Sequence, residues 1–213
     1  ILFSGLDYLE GDRINALDFI NQAEIGYKRG FENGAIYATA FYAKTEEEGG
    51  FEASTNSIVE NDYKSLGVEV EGFYRFNDFS LRGAVTWTDA EVDSGDNAGN
   101  TPRRQPDFIY NVIPSYNFGG EKQNSVGLSF IGQSKAFAQD NNELVMPGFL
   151  IVNSFINVGI TKSLNVNIAA NNIFDSLGIT ESEEGSIVEG QTNIVRARPL
   201  PGRSISLTLQ YMF

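Results

Sequence analysis

The sequence predicts an all-β fold, an antiparallel transmembrane β-barrel, and three observations carry that prediction. Apolar and polar residues alternate with period two along nearly the whole chain. The alternating runs exceed the about 5–6 residues usual in soluble sheets and match the about 9–11 or more of a tilted membrane-spanning strand. The connections between them alternate between short and long, the arrangement of a barrel with tight turns at one rim and loops at the other.

Nine strands follow in order. The first, 18–29, runs into "RGFENG" (29–34), and the second, 34–44, leaves two candidate outer faces, Ile36/Tyr42 and Tyr37/Phe41. In 62–76, Leu66, Val68, Val70, Tyr74 and Phe76 alternate with Gly67, Glu69, Glu71 and Arg75. The dipeptide "ND" (77–78) leads to 79–92, where Phe79, Leu81, Val85 and Trp87 oppose Ser80, Arg82, Thr86 and Thr88. Strands 107–118 and 123–137 flank "GGEK" (119–122), and strands 148–160 and 163–174 flank "TK" (161–162). In 163–174, Leu164, Val166, Ile168 and Ala170 alternate with Asn165, Asn167, Ala169 and Asn171. The last strand, 198–213, sets Ile205, Leu207, Leu209, Tyr211 and Phe213 against Ser206, Thr208, Gln210 and Met212. One face suits lipid and the other a wet interior.

Composition agrees. There are 16 Phe and 9 Tyr, and aromatics gather where the strands end, as interfacial girdles require. The short-turn rim holds Tyr27, Tyr74, Phe76, Phe79, Tyr116, Phe118, Tyr211 and Phe213; the long-loop rim holds Phe41, Tyr42, Tyr63, Trp87, Phe108, Tyr110, Phe137, Phe149 and Phe174. The net charge of −13 resides in the five long connections, 1–17, 45–61, 93–106, 138–147 and 175–197, while strands and short turns balance acid with base. No stretch approaches the about 18 apolar residues of a transmembrane helix.

Several functions are thereby disfavoured. Without Cys or His, the chain builds neither a thiolate zinc site nor a histidine-assisted hydrolase, and no carboxylate pair stands out. An acidic balance argues against nucleic acid. No enzyme activity and no cofactor or metal is expected. "DSGDNAG" (93–99) lacks the spacing of a calcium loop, and "TEEEGGFE" (45–52) and "DNNE" (140–143) read as solvated loops.

Single-chain bacterial barrels close on an even number of strands. Nine strands therefore leave two alternatives: a small barrel with "ILF" at the start as the end of a tenth, or the C-terminal part of something larger. The segments "SLGVEVEGFYRF" (65–76), "AVTWTDAEV" (84–92), "GNTPRRQPDFIYN" (99–111), "LVMPGFLIVNSFINVGI" (144–160), "LNVNIAANNIFD" (164–175) and "ARPLPGRSISLTLQYMF" (197–213) resemble, in this order, the C-terminal barrel region of TonB-dependent outer-membrane receptors.

The resemblance implies that residues 1–213 are the C-terminal nine or ten strands of a 22-stranded barrel, with the plug and earlier strands lying outside this chain. It implies import of a scarce ligand, a ferric siderophore or similar iron chelate, energised by the inner-membrane TonB complex through the plug region. The protein is expected in the bacterial outer membrane, with long loops extracellular and the C-terminus periplasmic, in contact with outer-membrane lipid.

Candidate site residues follow from chemistry. Basic residues in long loops are few, Arg13, Arg103, Arg104 and Arg196, and guanidinium groups suit a carboxylate-rich chelate. Arg103, Arg104 and Arg196 are the ligand candidates, with neutralisation of Asp93 and Asp96 as the alternative for the first two. Glu69, Glu71, Arg75, Arg82 and Arg203 are expected to face the lumen or plug, and Arg198 to pair with a carboxylate there. Asn171–Asn172 read as a turn cap. Tyr211 and Phe213 resemble the C-terminal signal that barrel assembly machinery recognises. Two other readings stay open: a passive channel or structural/adhesive barrel of about ten strands, and a soluble β-sandwich binding module.

Overall fold

The computed structural model describes residues 19–52, 57–120, 124–182 and 195–213, with side chains in 20–46, 61–120, 124–182 and 195–213. Segment 1–17 with "ILF" and Arg13, part of "GGEK", and most of 175–197 fall outside the described residues. Among the described residues there are thirteen strands: β1 (Phe19–Phe31), β2 (Gly34–Glu52), β3 (Ser57–Phe76), β4 (Phe79–Val92), β5 (Phe108–Phe118), β6 (Asn124–Gln133), β7 (Ala136–Phe137), β8 (Val145–Met146), β9 (Phe149–Gly159), β10 (Leu164–Asn171), β11 (Ile179–Ser182), β12 (Ala197–Pro199) and β13 (Ser204–Tyr211). Nine form one antiparallel sheet in the order β1-β2-β3-β4-β5-β6-β9-β10-β13, while β7 pairs with β8 and β11 with β12. The nine wall strands are those read from the alternation.

Register resolves the faces. Val70 pairs with Ala38 and Val85, and Gly72 with Ile36 and Gly83, so Ile36 and Tyr42 of β2 belong to the apolar face and Tyr37 and Phe41 to the polar one. Continuing across the ladder, the apolar face takes the even residues of β5, β6, β9 and β10 and the odd residues of β13. From Leu66 to Phe76 this face is apolar for ten steps; at about 3.3 Å per step and a tilt near 40° the band is about 25 Å tall, the height a barrel presents to lipid. All seven short-turn-rim aromatics that lie within strands (Tyr27, Tyr74, Phe76, Phe79, Tyr116, Phe118, Tyr211) fall on it. The loop-side girdle is only partly so: Tyr42, Trp87, Phe108 and Tyr110 lie on the apolar face, whereas Phe41, Tyr63 and Phe149 lie on the other. Phe41 covers Gly67 on the neighbouring strand, leaving no room there for a Cβ.

Burial is inverted relative to a water-soluble domain. Large apolar side chains such as Ile25, Val68, Leu81, Ile168 and Leu207 are exposed along the wall. The small apolar core sits instead in the connections, where Ala136, Ala138 and Met146 pack with Leu144 and Ile179.

That core explains where the sequence reading drew a boundary wrongly. β6 stops at Gln133, not at 137, because Ala136–Phe137 leaves the wall to pair with β8 over these apolar residues. The segment 45–61, read as a loop, is largely strand: after an irregularity between Thr45 and Glu48, β2 and β3 stay paired out to Glu52↔Ser57. Glu and Gly have poor strand propensity, but a hairpin already zipped below propagates by backbone bonds alone. The final strand is broken into β12 and β13, since Pro199 and Pro201 lack ladder donors.

The end of β10 is fixed by Asn172, 2% exposed, at φ 48°, a left-handed conformation that Asn tolerates. Its Nδ2 donates to the carbonyls of Ser176 (2.9 Å) and Pro201 (3.2 Å), its Oδ1 accepts from Ser176 N–H (2.8 Å), and its own N–H donates to Asn153 Oδ1 (2.8 Å). Asp175 Oδ1 accepts from the Arg203 N–H at 2.9 Å, tying the start of β13 to the same turn. The cap expected of "NNIFD" is therefore this side chain. Asn172→Ala should destabilise the folded barrel by about 2–4 kcal/mol, read as an earlier loss of heat-modifiable gel migration, with Asn172→Asp, which keeps the acceptor, losing less.

Candidate functional site

Above the apolar band the long connections dock against one another through polar groups. Asp140, 5% exposed, is the junction. Its Oδ1 accepts from the Arg103 N–H (2.7 Å), its Oδ2 from the Tyr63 hydroxyl (3.0 Å), and its carbonyl from Asn100 Nδ2 (2.9 Å). Asn142, at φ 60°, exchanges two bonds with Thr101: Oδ1 accepts from its N–H (3.0 Å), Nδ2 donates to its carbonyl (2.7 Å). Arg104 N–H donates to the Phe137 carbonyl at 2.6 Å. Two loops, 93–107 and 134–148, are thus one body clamped to the extended part of β3.

Tyr63 lies beyond the Leu66–Asp89 pair that ends the apolar band. Burial pushes its phenol up to about 12, and the adjacent Asp140 carboxylate adds to this against the lowering contact of Asn61. The phenol therefore stays protonated and donates.

The arginines gather here. Arg104 Nη1 lies 3.6 Å from Glu181 Oε1, and its Nη2 donates to the Ser182 carbonyl at 3.2 Å. Arg198 Nη1 holds the other oxygen of Glu181 at 2.8 Å, and the Ser182 hydroxyl donates to the Arg196 carbonyl at 3.4 Å. Arg196, more than ninety residues on from the adjacent Arg103 and Arg104, joins them in one loop cluster around Asp140 and Ser182, Arg103 through its backbone N–H and Arg196 through its carbonyl. A cleft of about 220 Å³ opens beside Arg103 and Gln105, floored by Tyr63, Ser65 and Thr45.

Asp93 pairs with neither arginine. It bridges Lys64 (2.8 Å) and Lys44 (3.6 Å), which sit directly opposite each other and would repel without it. The Lys64 ammonium holds the Asp93 carboxyl below its usual range. Arg198 is paired as expected with a carboxylate, but one in the same loop ladder.

Of the wall candidates, Glu69, Glu71, Arg75 and Arg82 lie exposed on the polar face. Arg203 precedes β13 and lies outside the ladder. Tyr211 and Phe213 close the turn end, their rings edge-to-face at 5.1 Å. The sequence reading missed Asp140, Asn142 and Tyr63: "DNNE" looked like any solvated loop, although two consecutive Asn after an Asp are the composition of a turn that bonds its own and its neighbours' backbone.

Asp140→Ala should free the Arg103 N–H and raise amide exchange across 100–104 about tenfold or more, with the strand amides unchanged. For Tyr63, stability drawn from the protonated phenol is complete below the ordinary value of 10.0 and is lost as pH rises through about 12. Thermal unfolding of detergent-solubilised protein should accordingly show a midpoint that falls over this window, and Tyr63→Phe should remove that part of the fall.

Comparison with known proteins meets this geometry. Residues 19–173 match the family model for the β-barrel of TonB dependent receptor-like proteins. None of the curated proteins matches the chain in sequence. Among solved structures, the ferric yersiniabactin uptake receptor FyuA from Yersinia pestis superposes with a TM-score of 0.78 at 16% identity, over 92% of this chain and 30% of that one. The siderophore receptor PiuA from Acinetobacter baumannii gives 0.75 at 16% identity, over 90% and 28%. The copper transporter OprC gives 0.72 at 13% identity, over 92% and 31%. The chain thus spans about a third or less of the length of each of these. The nine-stranded meander, its lipid-suited face and the family match together make this chain a member of the TonB-dependent receptor β-barrel family, a family of outer-membrane transport receptors.

Proposed function

We propose that this chain is the C-terminal wall and mouth of an outer-membrane receptor that imports a scarce anionic ligand, a ferric siderophore-type chelate, with energy from the inner-membrane TonB complex acting through a plug domain. The observation that carries the choice of ligand is the loop cluster that brings the backbones of Arg103 and Arg196 together with the guanidinium of Arg104, with Arg103 beside an open cleft. Guanidinium groups bind carboxylates and catecholates by charge-assisted hydrogen bonds, about twice as strong as neutral ones. The similarity to FyuA, a ferric yersiniabactin uptake receptor, and to PiuA, a siderophore receptor, supports the same reading.

In this reading the long loops are extracellular and the short turns and C-terminus periplasmic. The apolar face meets outer-membrane lipid, and Tyr211 and Phe213 form the signal for barrel assembly. Glu69, Glu71, Arg75 and Arg82 face the lumen and its plug, and Arg203 stands at the rim. No bond is made or broken by this chain; its work is capture and containment.

Deletion of the gene should abolish energy-dependent uptake of radiolabelled iron supplied as at least one of ferric citrate, a ferric catecholate or a ferric hydroxamate. Uptake that persists with the proton gradient collapsed would instead identify a passive channel. Against the chelate that is taken up, the double substitution Arg103→Ala/Arg104→Ala should weaken binding about 10–100-fold at unchanged surface level. Glu181→Gln, which loosens Arg104 while keeping its charge, should cost less.

A further inference from the structure

The polar face of the wall is divided into two sectors of different chemistry. Level with the apolar band, on β1–β4 it carries six acidic or basic side chains: Glu24, Lys28, Glu69, Glu71, Arg75 and Arg82. From the loop end towards the turns the acids lead and the bases follow, from Glu24 level with Gly67, through Glu71 and Lys28 at one level, to Arg75 level with Ser80. The five remaining wall strands, β5, β6, β9, β10 and β13, contain no Asp, Glu, Lys or Arg on either face. Their polar face carries amides and hydroxyls such as Asn111, Ser129, Asn157, Asn167 and Thr208, interspersed with apolar residues such as Ile113, Ile151 and Phe155.

These groups are tied to one another across strands. Asn157 Nδ2 donates to Ser125 Oγ at 2.9 Å, Asn167 Nδ2 donates to Asn157 Oδ1, and Asn167 lies opposite Thr208. One row of side chains therefore crosses β6, β9, β10 and β13. A concavity of about 810 Å³ opens on Asn157, Asn165, Asn167, Thr208 and Gln210, with Lys162 at its turn end.

We propose that the uncharged polar face of β5, β6, β9, β10 and β13 is the wall along which a polar, anionic small-molecule cargo passes, and that the charged face of β1–β4 is not. The proposal rests on the transport reading above. A conducting path must bind its cargo at several weak sites, firmly enough to admit it and loosely enough to release it. Neutral amides and hydroxyls offer such sites to hydroxyl, carbonyl and carboxylate groups. An anion moving down β1–β4 would first be repelled by Glu24, Glu69 and Glu71, then held by the charge-assisted bonds of Lys28, Arg82 and Arg75. Acid before base is a barrier followed by a trap.

Single cysteines report on the two sectors, and these residues contribute no background thiol. Ser129→Cys, Thr208→Cys and Gln210→Cys mark the uncharged sector; Thr39→Cys and Thr86→Cys mark the charged one. In the full-length receptor in iron-starved cells, each is labelled with the small anionic reagent sulfonatoethyl methanethiosulfonate, with and without an uncoupler. Heat-modifiable migration confirms that each variant folds, and the three sites in the first sector make the result independent of any one of them. Labelling in the uncharged sector should be about fivefold or more faster in energised cells, with less than about a twofold change in the charged sector. An equal change in both sectors, a change in the charged sector alone, or no change in either overturns the proposal. Iron uptake in the same cells separates the causes: energy-dependent uptake without a sector difference defeats this inference alone. Energy-independent uptake defeats the transport reading and this inference with it.

Discussion

Inside a bilayer there is no water to satisfy a backbone N–H or C=O, so a spanning chain must pair each of them within its own sheet. The rest of this structure follows from that constraint. It produces one nine-stranded antiparallel sheet, β1 through β6, then β9, β10 and β13, in which side chains are free to differ between the two faces. One face can then be apolar without collapsing on anything, which is why Ile25, Val68, Leu81 and Leu207 are exposed and the compact core has moved to the connections. Packing within the wall is correspondingly local. Rings lie over glycines on the adjacent strand, Phe41 over Gly67, Phe155 over Gly127 and Tyr110 over Gly132, filling space that no second layer fills.

Where the band ends, the physics reverses. Beyond Tyr42 and Leu66 the same apolar-facing register carries Lys44, Lys64 and Glu91, with Asp93 between the two lysines. Charges return as soon as they can be hydrated. The loops above bury only the small core of Ala136, Ala138 and Met146, and Asp and Asn side chains that bond to backbone complete their assembly: Asp140 and Asn142 join loops 93–107 and 134–148, and Asn172 joins the end of β10 to the start of β13. Such bonds are directional. They hold Arg103 and Arg104 in place at the mouth in a way that a hydrophobic contact of the same size would not.

The wall strands, their order and their outer face were legible in the sequence because period-two alternation and turn parity are direct consequences of the pleat and the barrel. The second strand was the exception. With Ile36/Tyr42 and Tyr37/Phe41 equally apolar, only pairing with Val70 and Gly72 chose between them. Aromatic position along a strand showed the turn-side girdle but misassigned Phe41, Tyr63 and Phe149, whose neighbours on the polar face are glycine or loop residues rather than lipid. The length of β2 and β3 was also hidden, since "TEEEGGFE" has loop composition and is held in a ladder by the hairpin beneath it.

For the site, the sequence by itself determined the inventory: few basic residues in acidic loops, no thiol or imidazole, a charged polar face on the early strands and an uncharged one on the later. It determined the wall because the lipid requirement acts on every second residue and leaves a periodic trace. Only the tertiary structure decided which loop residues meet. Arg103, Arg104 and Arg196 come together through Asp140, Glu181 and Ser182, contacts that span from 14 to 78 residues and follow no period. Loop docking depends on where the wall delivers each chain end, and that geometry exists only once the ladder has formed.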